Sequence, residues 1–96
     1  MTTESKLYKG DIGRDLYFDC VMTITGATVT NLLVQKPSGA TATWTGTIYG
    51  THHVKFTTIA GSLDEAGTYK IQPYIEKGTI KARAETADVE VYDWYE

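Results

Sequence analysis

Apolar and polar positions alternate with a period of two along most of this chain, in short runs separated by glycine-bearing breaks. From Arg14 onward, Leu16, Phe18, Cys20 and Met22 share one parity, while Asp15, Tyr17, Asp19 and Thr23 fall on the other. That is the pattern of a strand covered on one face, and it assigns the first set to the core. Residues 28–36 place Leu32 and Val34 on one side and then meet Pro37-Ser38-Gly39, a turn former with φ preset by proline. The return run, 41–48, puts Thr41, Thr43, Thr45 and Thr47 outward and Ala42, Trp44, Gly46 and Ile48 inward. Residues 53–59 direct Val54 and Phe56 inward, and 68–76 direct Tyr69, Ile71 and Ile75 inward after a loop at 60–67. Pro73 cannot donate a ladder bond, so it calls for an edge position or a bulge. A first edge strand over 6–9 and a last one over 80–92, carrying Val89 and Val91, complete about seven short strands.

No window holds a sustained helical spacing of apolar residues, and Thr, Val and Ile make up 29 of the 96 positions, a composition suited to pleated, half-buried surfaces. Two antiparallel sheets packed face to face bury such rows most simply. The expected fold is therefore an all-β sandwich of one domain over 1–96, with 1–5 and 92–96 as interface arms. With nine Lys and Arg against twelve Asp and Glu, the net charge is −3, which argues against a phosphate-backbone binder and so against nucleic acid as a partner. Cys20 is the sole cysteine, so no internal disulfide can form. Neither an apolar signal core at the start nor a run of eighteen apolar residues is present, so neither export nor membrane contact is expected, and synthesis in a reducing cytoplasm is.

Candidate chemistry is sparse. His52 and His53 are adjacent, and adjacent strand residues point to opposite faces, so they do not converge on a metal ion. Asp11, Asp15 and Asp19 lack the surroundings of a calcium loop. Cys20, inward beside Phe18, reads as a buried thiol rather than a nucleophile. Gly10 and Gly13 do not open a helix after a strand and read as turn glycines rather than a phosphate loop. The expectation is no enzyme, no metal and no cofactor.

The most distinctive local segment is Leu63-Asp64-Glu65-Ala66-Gly67-Thr68-Tyr69, which resembles the tyrosine corner of immunoglobulin-type sandwiches. The resemblance implies that Tyr69, with Gly67 and Asp64 around it, pins a crossover through a hydroxyl bond to backbone a few residues upstream. Ile71 then stands where antibody domains carry their second cysteine, and packing takes the place of the disulfide. Glu65 occupies a position where Asp is usual, and Trp44 falls one strand later than the tryptophan of those domains.

A wider resemblance rests on four segments in order: Gly10-Asp11-Ile12-Gly13, Leu33-Val34-Gln35-Lys36-Pro37-Ser38-Gly39, Thr43-Trp44-Thr45-Gly46-Thr47, and residues 60–74 running through the corner to Gln72-Pro73-Tyr74. Together they resemble small immunoglobulin-like virion structural proteins of tailed bacteriophages, including the amino-terminal modules of baseplate upper proteins, with Ser38 and Pro73 as variants. The resemblance implies a structural or adaptor component of the virion, in the tail, neck or baseplate-fibre region, present in many copies and joined to other virion proteins. The alternatives are capsid decoration, or a carbohydrate or cell-surface binding module using Trp44, Tyr49, Tyr74 or Trp94 as a platform for a host surface glycan. Residues 85–96 hold five acids and no base, against nine bases and seven acids in 1–83. Tyr92, Asp93, Trp94 and Tyr95 are accordingly the candidate interface, an acidic, aromatic tail suited to charge-matched contacts between subunits.

Overall fold

A computed structural model describes residues 6–95. It contains nine strands and no helix among them: β1 (Leu7–Tyr8), β2 (Asp15–Asp19), β3 (Val29–Gln35), β4 (Thr41–Thr45), β5 (Thr47–Tyr49), β6 (His53–Thr57), β7 (Gly67–Lys77), β8 (Ile80–Arg83) and β9 (Ala87–Tyr92). The larger sheet runs β1-β9-β7-β3-β4, with β8 also on β7, and the smaller one runs β2-β6-β5. The thinnest dimension, 21 Å, is that of two layers with their side chains. The larger sheet is mixed rather than antiparallel, because β1 lies parallel to β9 with Leu7 opposite Val91.

Nine strands appear where about seven were expected because two runs break. The run 41–48 splits at Gly46, where the chain leaves the larger sheet after β4 and enters the smaller one as β5. Only glycine fits there: a Cβ on Gly46 would collide with Val54 Cγ1 and press on the carbonyls of Lys55 and Thr30, at 3.1 and 3.3 Å. Ile48, expected inside, is consequently 37% exposed at the margin of the smaller sheet.

The run 80–92 splits beside Pro73. Tyr74 faces Arg83 and Ile71 faces Ala87, so residues 84–86 oppose only Gln72 and Pro73, a bulge of one extra residue. Pro73 therefore sits in a central strand, fully buried opposite Leu32, and the bulge is on its neighbour. Its carbonyl still accepts from the Ala84 N–H at 3.0 Å. The donor that proline lacks is replaced by the Gln72 side-chain amide, which donates to the Ala84 carbonyl at 2.9 Å.

Both sheets contribute to one core. Phe18, Val54 and Phe56 meet Leu32, Val34, Trp44, Tyr69, Ile71 and Ile75, all buried. Trp44 bridges the layers by stacking on Phe56, with centroids 4.4 Å apart and planes 12° from parallel. Leu16 and Met22 are only partly buried against this core, whereas loop residues Ile24 and Leu63, outside the alternating rows, are fully buried within it. Among the described residues, no buried side-chain polar atom lacks a hydrogen-bond partner.

Candidate interaction edges

The β3–β4 turn and the segment from Leu63 to Tyr69 meet in space. The Tyr69 ring is fully buried; its hydroxyl accepts from the Glu65 N–H at 3.0 Å and donates to the Glu65 carbonyl at 3.1 Å. Asp64 and Glu65 then reach across to the β3–β4 turn. Lys36 Nζ lies 2.9 and 3.0 Å from the two Asp64 carboxylate oxygens, and Glu65 accepts from the Ser38 N–H and hydroxyl at 3.0 and 2.9 Å. Gly67, at φ +128°, leaves room for Pro37: a Cβ in its place would lie 2.8 Å from the Pro37 Cβ. The Lys36 ammonium, by its hydrogen bond and charge, holds the Asp64 carboxyl below its usual range, and burial pushes the Tyr69 phenol up. The site is a clasp between two loops, and its carboxylates are engaged in holding it.

The carboxyl-terminal tail folds back on β1. Lys9 Nζ sits 3.5 Å from Asp93 and 5.2 Å from the centre of the Trp94 ring. The Trp94 indole N–H donates to the Lys9 carbonyl at 2.8 Å, and Lys6 Nζ lies 4.6 Å from the Tyr92 ring centre. Farther along β9, Asp88 faces Lys70 at 3.5 Å. Two acids of the tail, Asp93 and Asp88, thus have lysine partners, Lys9 just after β1 and Lys70 in β7. Of the four candidate interface residues, Trp94 is 60% exposed but has its N–H engaged internally, and Tyr95 projects fully into solvent at φ +71°. The proposed arm at 1–5, and Glu96 at the end of the other, lie outside the described residues.

The remaining candidates are dispersed. Asp11 bonds the Tyr8 N–H and pairs with Arg14, Asp15 accepts from the Thr57 hydroxyl, and Asp19 accepts from the Val21 N–H. The His52 ring bonds Thr51, while His53 faces Asp19 across the smaller sheet. Among the described residues no group of three or more His, Cys, Asp or Glu side chains converges as a metal site would require. Cys20 is buried, and that burial raises its thiol pKa. Trp44 is in the core, and Arg83 lies 5.2 Å from the Tyr74 ring centre.

Tyr49, a candidate platform residue, is about half exposed, and Tyr17, which the sequence did not single out, brings its ring to 4.8 Å from it across the outer face of the smaller sheet. A further feature that escaped the sequence reading is the margin of β4, unpaired among the described residues. Its inner neighbours are fixed by the Lys36 N–H to Ala40 carbonyl bond and the Gly46 N–H to Thr30 carbonyl bond, so the even-numbered residues face β3. The backbone N–H and C=O groups of Thr41, Thr43 and Thr45 therefore point outward. The signal available in the sequence was the lack of any charge or proline from 41 to 49. In comparisons with known proteins, the chain matched no family model, no curated protein and no solved structure.

Proposed function

We propose that this chain is an immunoglobulin-like structural adaptor of a tailed-phage virion that works by protein–protein assembly. The observation that carries the reading is the clasp: the Lys36-Pro37-Ser38-Gly39 turn and the Leu63-to-Tyr69 corner, two of the segments that resemble phage virion modules, interlock through Lys36–Asp64, Ser38–Glu65 and Pro37–Gly67. The strand order supports the sandwich part of the reading. The runs β9-β7-β3-β4 and β2-β6-β5 resemble the G-F-C-C′ and B-E-D runs of variable-type immunoglobulin domains, without their C″ strand and without an A strand beside β2. In this reading the core and the clasp hold shape, and the sheet margins and the Trp94–Tyr95 end make the contacts.

An antibody against the chain tests it. Density-purified particles from the phage that encodes the chain should contain the protein by mass spectrometry, and immunogold should label one region of the particle. Particles free of the chain refute the reading.

A further inference from the structure

We propose that β4 is a homodimerisation edge, pairing antiparallel with β4 of a second copy about a two-fold axis through Thr43. The other margins of both sheets are closed to such pairing. On β1, the outward Tyr8 N–H is taken by the Asp11 carboxylate and the Tyr8 carbonyl by the Asp11 N–H, each at 3.0 Å, and the Lys6 carbonyl is taken by Arg14 at 3.2 Å. The β2 edge carries Asp15 and Asp19, and the β8 edge carries Lys81 and Arg83, charges that repel an identical strand. Only the margin formed by β4 and the short β5 has neither a charge nor a side-chain cap among the described residues.

Self-complementarity identifies the occupant as a second copy. With Thr43 on the axis, Thr43 faces Thr43 and Thr41 faces Thr45, and these are the residues whose N–H and C=O groups point outward. Each such pair exchanges both backbone bonds. Between them Ala42 faces Trp44 on the core side, in the closer non-hydrogen-bonded positions, so a small side chain meets a large one. The outer face gains threonine pairs, and no like charges oppose each other. Beside the edge lies a groove of about 500 Å³ floored by Trp44 and Phe56 and rimmed by Ile59, which is 63% exposed; the second copy would cover part of it. The inference stands apart from the virion reading, since a dimer forms or fails whatever particle the chain serves.

Sedimentation equilibrium over a range from about 10 μM to 1 mM is the test, and wild type should pass from monomer toward dimer within it. Thr43→Pro removes an N–H that points to solvent in the monomer, so β3 pairing survives while dimerisation weakens at least about tenfold. Thr43→Lys places two ammonium groups opposite each other and should do the same with the exposed fold intact, so it carries the test if the proline variant misfolds by circular dichroism. Hydrogen exchange at Thr41, Thr43 and Thr45 should slow as concentration rises. A wild type that is monomeric throughout, a dimer unaffected by both variants, or a dimer whose three amides stay unprotected overturns the proposal, whether the edge then serves another protein or none.

Discussion

Replacing Tyr69 by Phe keeps a fully buried ring and deletes one oxygen, so the change isolates the corner bond. That oxygen makes two hydrogen bonds to a single residue, Glu65, one to its N–H and one to its carbonyl; the approach to Asp64 Oδ1, at 3.5 Å, is marginal. Each bond contributes about 1 kcal/mol net, and loss of the hydroxyl strands both backbone groups. Because Glu65 is only half-buried, water can reach them in part, which brings the expected loss to about 1–2 kcal/mol. For a domain of this size that is on the order of 10 °C in Tm. Urea unfolding followed by tryptophan fluorescence reads it directly, since Trp44 lies 6.4 Å from the Tyr69 ring. The midpoint should fall by about 1 M with an unchanged slope. Tyr74→Phe is the control: its hydroxyl bonds only the Glu76 side chain, so its effect should stay within about 0.5 kcal/mol. A Tyr69→Phe curve that overlies wild type would refute the corner bond as a source of stability.

The same substitution has a pH signature. Burial, the largest effect, raises the Tyr69 phenol above its ordinary value in the folded state. The folded protein thus prefers the neutral phenol, and this contribution is complete below the unfolded pKa near 10 and is lost as pH rises through the folded one. Wild type should lose stability more steeply than Tyr69→Phe in that alkaline window.

Four further outcomes are expected. Val21 is a β-branched residue held at φ +60° and 74% exposed, so Val21→Asn should relieve strain without loss of burial and raise stability by about 1 kcal/mol in a thermal melt; an unchanged or lower Tm refutes this. Gly46→Ala should cost about 2–3 kcal/mol by urea titration, through the collision with Val54, and a loss under about 0.5 kcal/mol would mean that the sheet-to-sheet crossing yields easily. Asp64→Asn should destabilise by less than about 1 kcal/mol, less still in molar salt, because Asp64 is half-exposed. Its depressed pKa makes that contribution present above the ordinary carboxylate value near 3.8 and lost as pH falls through the lower folded one, so the two proteins should converge in acid. Trp94→Ala should speed hydrogen exchange in residues 7–9 while leaving the global midpoint within about 0.5 kcal/mol, and slow exchange there would deny the tail its capping role.

The alternation of side chains found the strands and most of the core because a strand's period is a local property. Phe18, Leu32, Val34, Trp44, Phe56, Tyr69 and Ile71 all fell on the inward parity and all are buried. What failed was continuity. Parity runs unbroken from Thr41 to Ile48, yet the chain changes sheets at Gly46, because the determinant is how close Val54 and the Thr30 carbonyl come from elsewhere in the chain. Pro73 was readable as an interruption, but not that the interruption would be transferred to residues 84–86 and repaired by Gln72. The spatial partners of the acidic tail were unreadable for the same reason: Lys9 beside Asp93 and Lys70 beside Asp88 are distant in sequence and adjacent in the fold.

The clasp shows how far a motif can be read. Taken alone, the Lys36-to-Gly39 turn needs only a proline and a glycine, and the corner needs only Tyr69 and the backbone of Glu65. Neither local demand explains Lys36, Ser38 or Asp64, and each is explained by the other segment: Lys36 and Asp64 by one another, and Ser38 by Glu65. Gly67 is demanded twice, locally by its φ of +128° and across the clasp by the Pro37 ring. Turn and corner therefore constrain one another across about thirty residues, and a double-mutant cycle should expose the coupling. Ser38→Ala and Glu65→Gln each remove part of one contact, so their combined cost should fall short of the sum by about 0.5 kcal/mol or more. Strict additivity would mean that the two segments merely coexist, and the physical basis for treating them as one signature would be gone.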